Sequence, residues 1–217
     1  MTAKFFLIHA LVIPFLAFGC SKAPSAKPSE STNPQLTPQQ MQEAFVKAST
    51  PGAEHKFLAS MVGDWKAVVS MWMNATKPPE VTAGRSANSS KYGGRFIETS
   101  YTGTWMGQKF EGTGAWGYDN VTKHYQSSWF DSMSTQLTYA AGTYDAATKK
   151  LTLSGVMSCP MSGGPIDVKQ VLTIVDENKH IYESFTVGAD GKEFRTMEIV
   201  YTRDRKCLKC GSNRKRK

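Results

Sequence analysis

The chain has 217 residues, 40% of them hydrophobic and 20% charged, which is ordinary for a soluble domain with a sizeable core. The formal net charge of +8 suggests a polyanionic partner, but residues 52–204 carry 15 Lys and Arg against 16 Asp and Glu, while residues 205–217 carry 7 basic residues and no acidic one. The basicity therefore belongs to a solvated tail rather than to a folded face, and no specific nucleic-acid partner is expected.

At the N-terminus, Lys4 precedes an apolar run from Phe5 to Phe18, broken by His9 and Pro14. It is short for a membrane span and reads as a signal peptide over residues 1–19. Leu16-Ala17-Phe18-Gly19-Cys20 resembles a bacterial lipobox, with a bulky Phe18 where a small residue is usual, and makes Cys20 the lipidation site. Ala17-Phe18-Gly19 also suits ordinary signal cleavage. Residues 20–36 are rich in Pro and Ser and lack aromatics, so they read as a flexible tether. The expected product is an exported cell-envelope protein, anchored by lipid and facing the periplasm or the exterior.

A short helical segment is expected over residues 37–61. Thr37 can cap, Pro38 suits the first helical position and Gln40 can complete a capping box. Met41, Ala44, Phe45 and Ala48 share one face. A second helix from Ala53 to Met61 would bury Phe57, Leu58 and Met61.

Residues 62–204 then show period-two patterning. One set is Trp65, Ala67, Val69, Met71 and Met73; the next are Ile97, Thr99, Tyr101 and Trp105, and Phe110, Gly112, Gly114, Trp116 and Tyr118. Tyr125 and Trp129, then Leu151 and Leu153, then Ile166, Val168, Leu172 and Ile174 continue it. Ile181, Phe185 and Val187 share a parity, as do Met197, Ile199 and Tyr201. Turn chemistry separates these runs, as at Asp119-Asn120-Val121-Thr122-Lys123 and Asp145-Ala146-Ala147-Thr148-Lys149. About ten strands with short links make an antiparallel meander, which loses its open edges by closing into a barrel. Strand glycines such as Gly103, Gly112, Gly114 and Gly155 would permit the bends.

Catalytic and metal chemistry is thinly represented. Cys207-Leu208-Lys209-Cys210 resembles half a zinc ribbon without a second pair, so neither a metal nor a cofactor is expected. Cys159, before Pro160, reads as a partly buried thiol. His124 and Asp131 are an odd seven residues apart and face opposite sides of a regular strand, which argues against a triad with Ser132. Asp131 is expected to bond a turn. Glu98, Glu183 and Glu198 lie in strands and read as exposed charges, although an interior pair would open hydrolase or isomerase chemistry. His180 follows a turn and reads as a surface residue.

The aromatics carry more information. Trp105, Trp116, Tyr118, Tyr125 and Trp129 fall on consecutive strands, with Met133 and Tyr139 extending the wall. Such a set either fills a barrel core or lines an apolar pocket. The function expected is binding of a small apolar or amphipathic molecule, with Arg95 or Glu198 orienting it. A haem carrier is one form of this, with His55, His124 and His180 the domain's histidines. A barrel packed solid would instead be a structural or interaction module.

Several segments resemble the bacterial family known as domain of unknown function 1579, over roughly His55 to Arg203. They include Gly63-Asp64-Trp65, Gly93-Gly94-Arg95-Phe96, Met106-Gly107-Gln108-Lys109-Phe110-Glu111-Gly112, Trp129-Phe130-Asp131-Ser132-Met133 and Gly191-Lys192-Glu193-Phe194. The resemblance implies a fold and no activity. Gly63-Asp64-Trp65 at the first strand and Arg203 at the last also resemble the calycins. That resemblance implies a lipocalin-like barrel latched by Arg203 on the Trp65 indole.

Overall fold

The computed structural model describes residues 36–188 and 190–205. The signal peptide, Cys20, all but the last residue of the tether, Cys207, Cys210 and the tail beyond Arg205 lie outside the described residues.

Two helices, α1 (Pro38–Ser49) and α2 (Ala53–Ala59), precede ten strands. These are β1 (Gly63–Met71), β2 (Glu80–Lys91), β3 (Phe96–Trp105), β4 (Gln108–Asp119) and β5 (His124–Asp131), followed by β6 (Thr138–Asp145), β7 (Lys150–Cys159), β8 (Gly164–Asp176), β9 (Lys179–Val187) and β10 (Glu193–Arg203). Each strand pairs antiparallel with the next, and β1 pairs with β10, so the meander closes into an all-β barrel as expected. Closure satisfies the ladder hydrogen bonds that an open edge would leave free.

The links alternate between two ends of the barrel. At one end, α2 lies across the opening and buries Leu58 and Met61 against Ile97, Tyr125, Leu151, Leu153 and Leu172. The β4–β5 and β6–β7 turns lie at that end and use one device. Asp119 accepts from the Val121 N–H at 2.8 Å and the Thr122 hydroxyl at 2.7 Å. Asp145 accepts from the Ala147 N–H at 2.9 Å and the Thr148 hydroxyl at 2.7 Å. Lys123 and Lys149 then take positive φ, 60° and 55°.

The amphipathic face expected of α1 is not buried, and Phe45 is 75% exposed. The helix is held at its C-terminal end instead. The Asn120 side-chain amide donates to the carbonyls of Ala48 (3.0 Å) and Thr50 (2.8 Å). Asn120→Ala is expected to remove protection of α1 amides in hydrogen exchange while lowering global stability by only about 1 kcal/mol. Unchanged exchange in α1 would show that Asn120 does not hold the helix.

The seam between β1 and β10 sets Trp65 opposite Arg203. The Arg203 guanidinium lies 4.1 Å from the Trp65 ring centroid. Its nitrogens donate to the carbonyls of Val62 (2.7 Å), Ser60 (3.0 Å) and Glu177 (2.9 Å). The indole N–H of Trp65 donates to the Met61 carbonyl at 2.9 Å. One arginine thus joins the α2–β1 link, the β8–β9 turn and the last strand.

Gly112 and Gly114 have a role beyond bending. A Cβ at Gly112 would stand 2.1 Å from Cζ2 of Trp129, and one at Gly114 would stand 2.8 Å from Cε3 of the same ring. The missing side chains on β4 form the bay in which the β5 indole lies.

Candidate ligand-binding lumen

Above the α2 plug the barrel encloses a cavity of about 1010 Å³. It extends to the end formed by the β1–β2, β3–β4, β5–β6, β7–β8 and β9–β10 links, all of which contribute to its lining or flank it. Its wall is mainly apolar. Seven of the ten methionines line it, together with Trp72, Trp105, Trp116, Trp129, Phe110 and Tyr101. Thioether chains are unbranched and polarizable, so they can adapt to guests of different shape. The mouth adds exposed apolar side chains, with Met73 58% and Met161 75% exposed.

The deeper wall mixes polar side chains with the apolar Met61, Trp116 and Leu172. Ser86, Thr99, Ser127, His180 and Ser184 are buried and line the lumen. The Ser127 hydroxyl donates to Gln170 Oε1 at 2.9 Å, linking two strands that are not neighbours. Ser86 donates to Asn88 Oδ1 at 2.8 Å, and the Asn88 amide donates to the Met61 carbonyl at 3.0 Å. Thr99 Oγ1 is buried and has no hydrogen-bond partner, an arrangement that leaves a polar atom to be satisfied from the lumen.

His180 is 4% exposed, not at the surface where its place after a turn suggested. Its ring stands edge-on to Trp65 at 4.3 Å and stacks on Tyr201 at 4.6 Å. Burial, and then the positive charge of Arg203, lower its pKa to about 4, so it is a neutral imidazole near pH 7. The latch therefore continues inward, as Arg203, Trp65, His180 and Tyr201 in succession. Burial also pushes the Tyr182 and Tyr201 phenols well above the ordinary range.

The residues expected to bind ligand divide into three groups. Trp105, Trp116, Trp129 and Met133 line the lumen. The Trp129 indole N–H donates to Asp131 Oδ2 at 2.9 Å, and Asp131 Oδ1 accepts from the Met133 N–H at 2.9 Å, the turn role expected of this carboxylate. Tyr118 and Tyr125 face inward but belong to the plug beneath. Their rings are 4.8 Å apart, and they meet His55 and Phe57 of α2. Desolvation there, then Glu54, pushes the Tyr125 phenol up to about 12.

Arg95 and Glu198 do not reach the lumen. Arg95 sits in the β2–β3 turn at the plugged end and donates to the Tyr92 carbonyl at 2.8 Å. Glu198 takes the outward parity of β10 and shares Arg195 with Glu183, at 2.5 and 2.8 Å. Glu98 is likewise paired outside, with Lys91 at 2.9 Å. Tyr139 is 51% exposed and does not extend the wall. The parity on β9 is also the reverse of Ile181 and Phe185, since His180, Tyr182, Ser184 and Thr186 line the lumen, with Val187 joining them at the end of the strand. Phe185 is covered from outside by Lys169, whose ammonium lies 4.7 Å from the ring centroid.

Cys159 is half-buried and lines the mouth, with its thiol pKa lowered by hydrogen bonds from the Ser162 backbone and then its hydroxyl. His124 and Asp131 stand at opposite ends of β5.

Solved structures align with the chain at low identity. Rv2717c from M. tuberculosis aligns over 72% of this chain and 100% of its own, with 12% identity and a TM-score of 0.51. S-type phycobiliprotein lyase CPES from Guillardia theta aligns over 74% and 97%, with 10% identity and a TM-score of 0.48. No curated protein sequence matches the chain. The sequence profile of the DUF1579 proteins of unknown function matches residues 50–203, and the chain belongs to that family.

Proposed function

We propose that this protein binds a small apolar or amphipathic molecule inside its barrel, as an exported cell-envelope protein tethered through Cys20. The carrying observation is the lumen. Trp105, Trp116 and Trp129 do not fill the barrel but line a cavity of about 1010 Å³, at the upper end of the size usual for ligand pockets. Each methylene buried there contributes about 0.8 kcal/mol, so a chain of moderate length would bind without a charge pair. The soft methionine lining supports a guest class rather than one rigid shape.

Native mass spectrometry of the full chain, purified from its own host, tests this reading. An extra mass lost on denaturing extraction is expected, and reloading the extracted protein should shift its tryptophan emission. A clean apo mass, together with no emission change on adding the neutral probe phenylnaphthylamine, would leave a structural barrel instead. The denatured spectrum also reads the N-terminus. A chain beginning at a lipid-bearing Cys20 is expected, and an unmodified Cys20 or an uncleaved leader would overturn the anchor.

A further inference from the structure

We infer that the guest is an amphiphile with an uncharged, hydrogen-bonding head, a hydroxyl or primary amide, held at the lumen floor, and that carboxylates are selected against. This deepens the proposed function and rests on it. Among the described residues that line the lumen there is no lysine or arginine, although the chain has 26 of them. The acidic residues of the lining are Glu80, Asp131 and Asp190, all at the mouth. An anionic head would pass three carboxylates to reach a floor without a countercharge.

Two cations near the barrel wall are committed elsewhere. Arg195 lies over the Trp72 ring at 4.6 Å, but its guanidinium is paired with Glu183 and Glu198. Arg203 donates to three main-chain carbonyls and lies against the Trp65 indole. A buried carboxylate without a paired cation is strongly disfavoured. A neutral head meets better terms. Thr99 Oγ1 has no partner and can both donate and accept. Gln170 also lines the lumen, its side-chain oxygen accepting from Ser127, and its amide nitrogen is a further donor in that wall. The apolar tail would then run along the methionine and tryptophan wall to the mouth.

The test compares dodecanol, dodecanoate and dodecylammonium with the extracted full-length protein, titrated by tryptophan fluorescence at about pH 8, where the carboxylate is ionised. Dodecanol is expected to bind at least about tenfold more tightly than dodecanoate. Equal or tighter dodecanoate binding would overturn the inference and leave lumen binding standing. Tighter dodecylammonium would place the head among the mouth carboxylates and overturn it too. If none of the three binds, nor phenylnaphthylamine, the lumen reading itself fails. Thr99→Val, nearly isosteric, is expected to weaken dodecanol about threefold to tenfold while phenylnaphthylamine binding, which also reports the fold, stays unchanged. Unchanged dodecanol affinity in that variant would overturn the placement of the head at the floor.

Discussion

Trp65→Ala is expected to lower the stability of the domain by about 4 kcal/mol, with a fall in Tm of roughly 10 °C for a chain of this size. The indole is 2% exposed, so its loss leaves a cavity that neighbouring strands can fill only in part. It also removes three specific contacts: the hydrogen bond to the Met61 carbonyl, the face beneath Arg203 and the edge against His180. These contacts join α2 to both strands of the closing seam. Arg203→Met should cost about 3 kcal/mol by a different route, since it leaves the carbonyls of Val62, Ser60 and Glu177 without their charged donor. Arg203→Lys should recover only part of this, because an ammonium cannot reproduce the planar fork. Urea denaturation of the single and double variants would show the coupling. The latch would lose its role if Trp65→Ala melted within about 3 °C of the wild type.

Acidification is expected to weaken the barrel through His180. Its folded pKa is depressed, from 6.5 to about 4. Between those values the unfolded chain binds the proton and the folded chain resists it. Stability therefore rises with pH across this window, is full above about pH 6.5, and falls as pH drops toward 4. That depression corresponds to a loss on the order of 3 kcal/mol. Carboxylates titrate in the lower part of the same range, so the informative quantity is the difference between the wild type and His180→Phe. Phenylalanine keeps a ring between Trp65 and Tyr201 and carries no proton site. The variant should lose less stability than the wild type between pH 6.5 and 4, and parallel pH profiles would show that His180 is not the acid-sensitive group.

Much of the architecture was legible in local patterning. Period-two alternation marked the strands, and Asp-x-x-Thr-Lys turn chemistry marked two of the links. The short links forced neighbours in sequence to be neighbours in the sheet, so a closed meander followed. The resemblance of Gly63-Asp64-Trp65 and Arg203 to the calycins pointed to the seam. The wall residues Trp105, Trp116 and Trp129 followed from parity on their own strands.

Other features depended on how the strands and α2 come together. Parity says which face a residue takes, but not how far along the barrel it lies. Tyr118 and Tyr125 share the inward face with Trp116 and Trp129, yet α2 covers their end and makes them part of the plug. Arg95 lies at that same end, and Glu198 on the outer face, for reasons no single segment contains. On β9 the apolar set was misleading because Lys169 of the neighbouring β8 shields Phe185 outside, while His180 and Ser184 turn inward. The sequence by itself determined the all-β class, the meander and the charge-neutral body, because these depend on spacing along one chain, while the pairing of Trp65 with Arg203 came from the resemblance to the calycins. Only the tertiary structure decided that the barrel is open above a plug, that polar side chains gather at its deep end and that, among the described residues, its lining holds no lysine or arginine, because these depend on which side chains ten strands bring to one level.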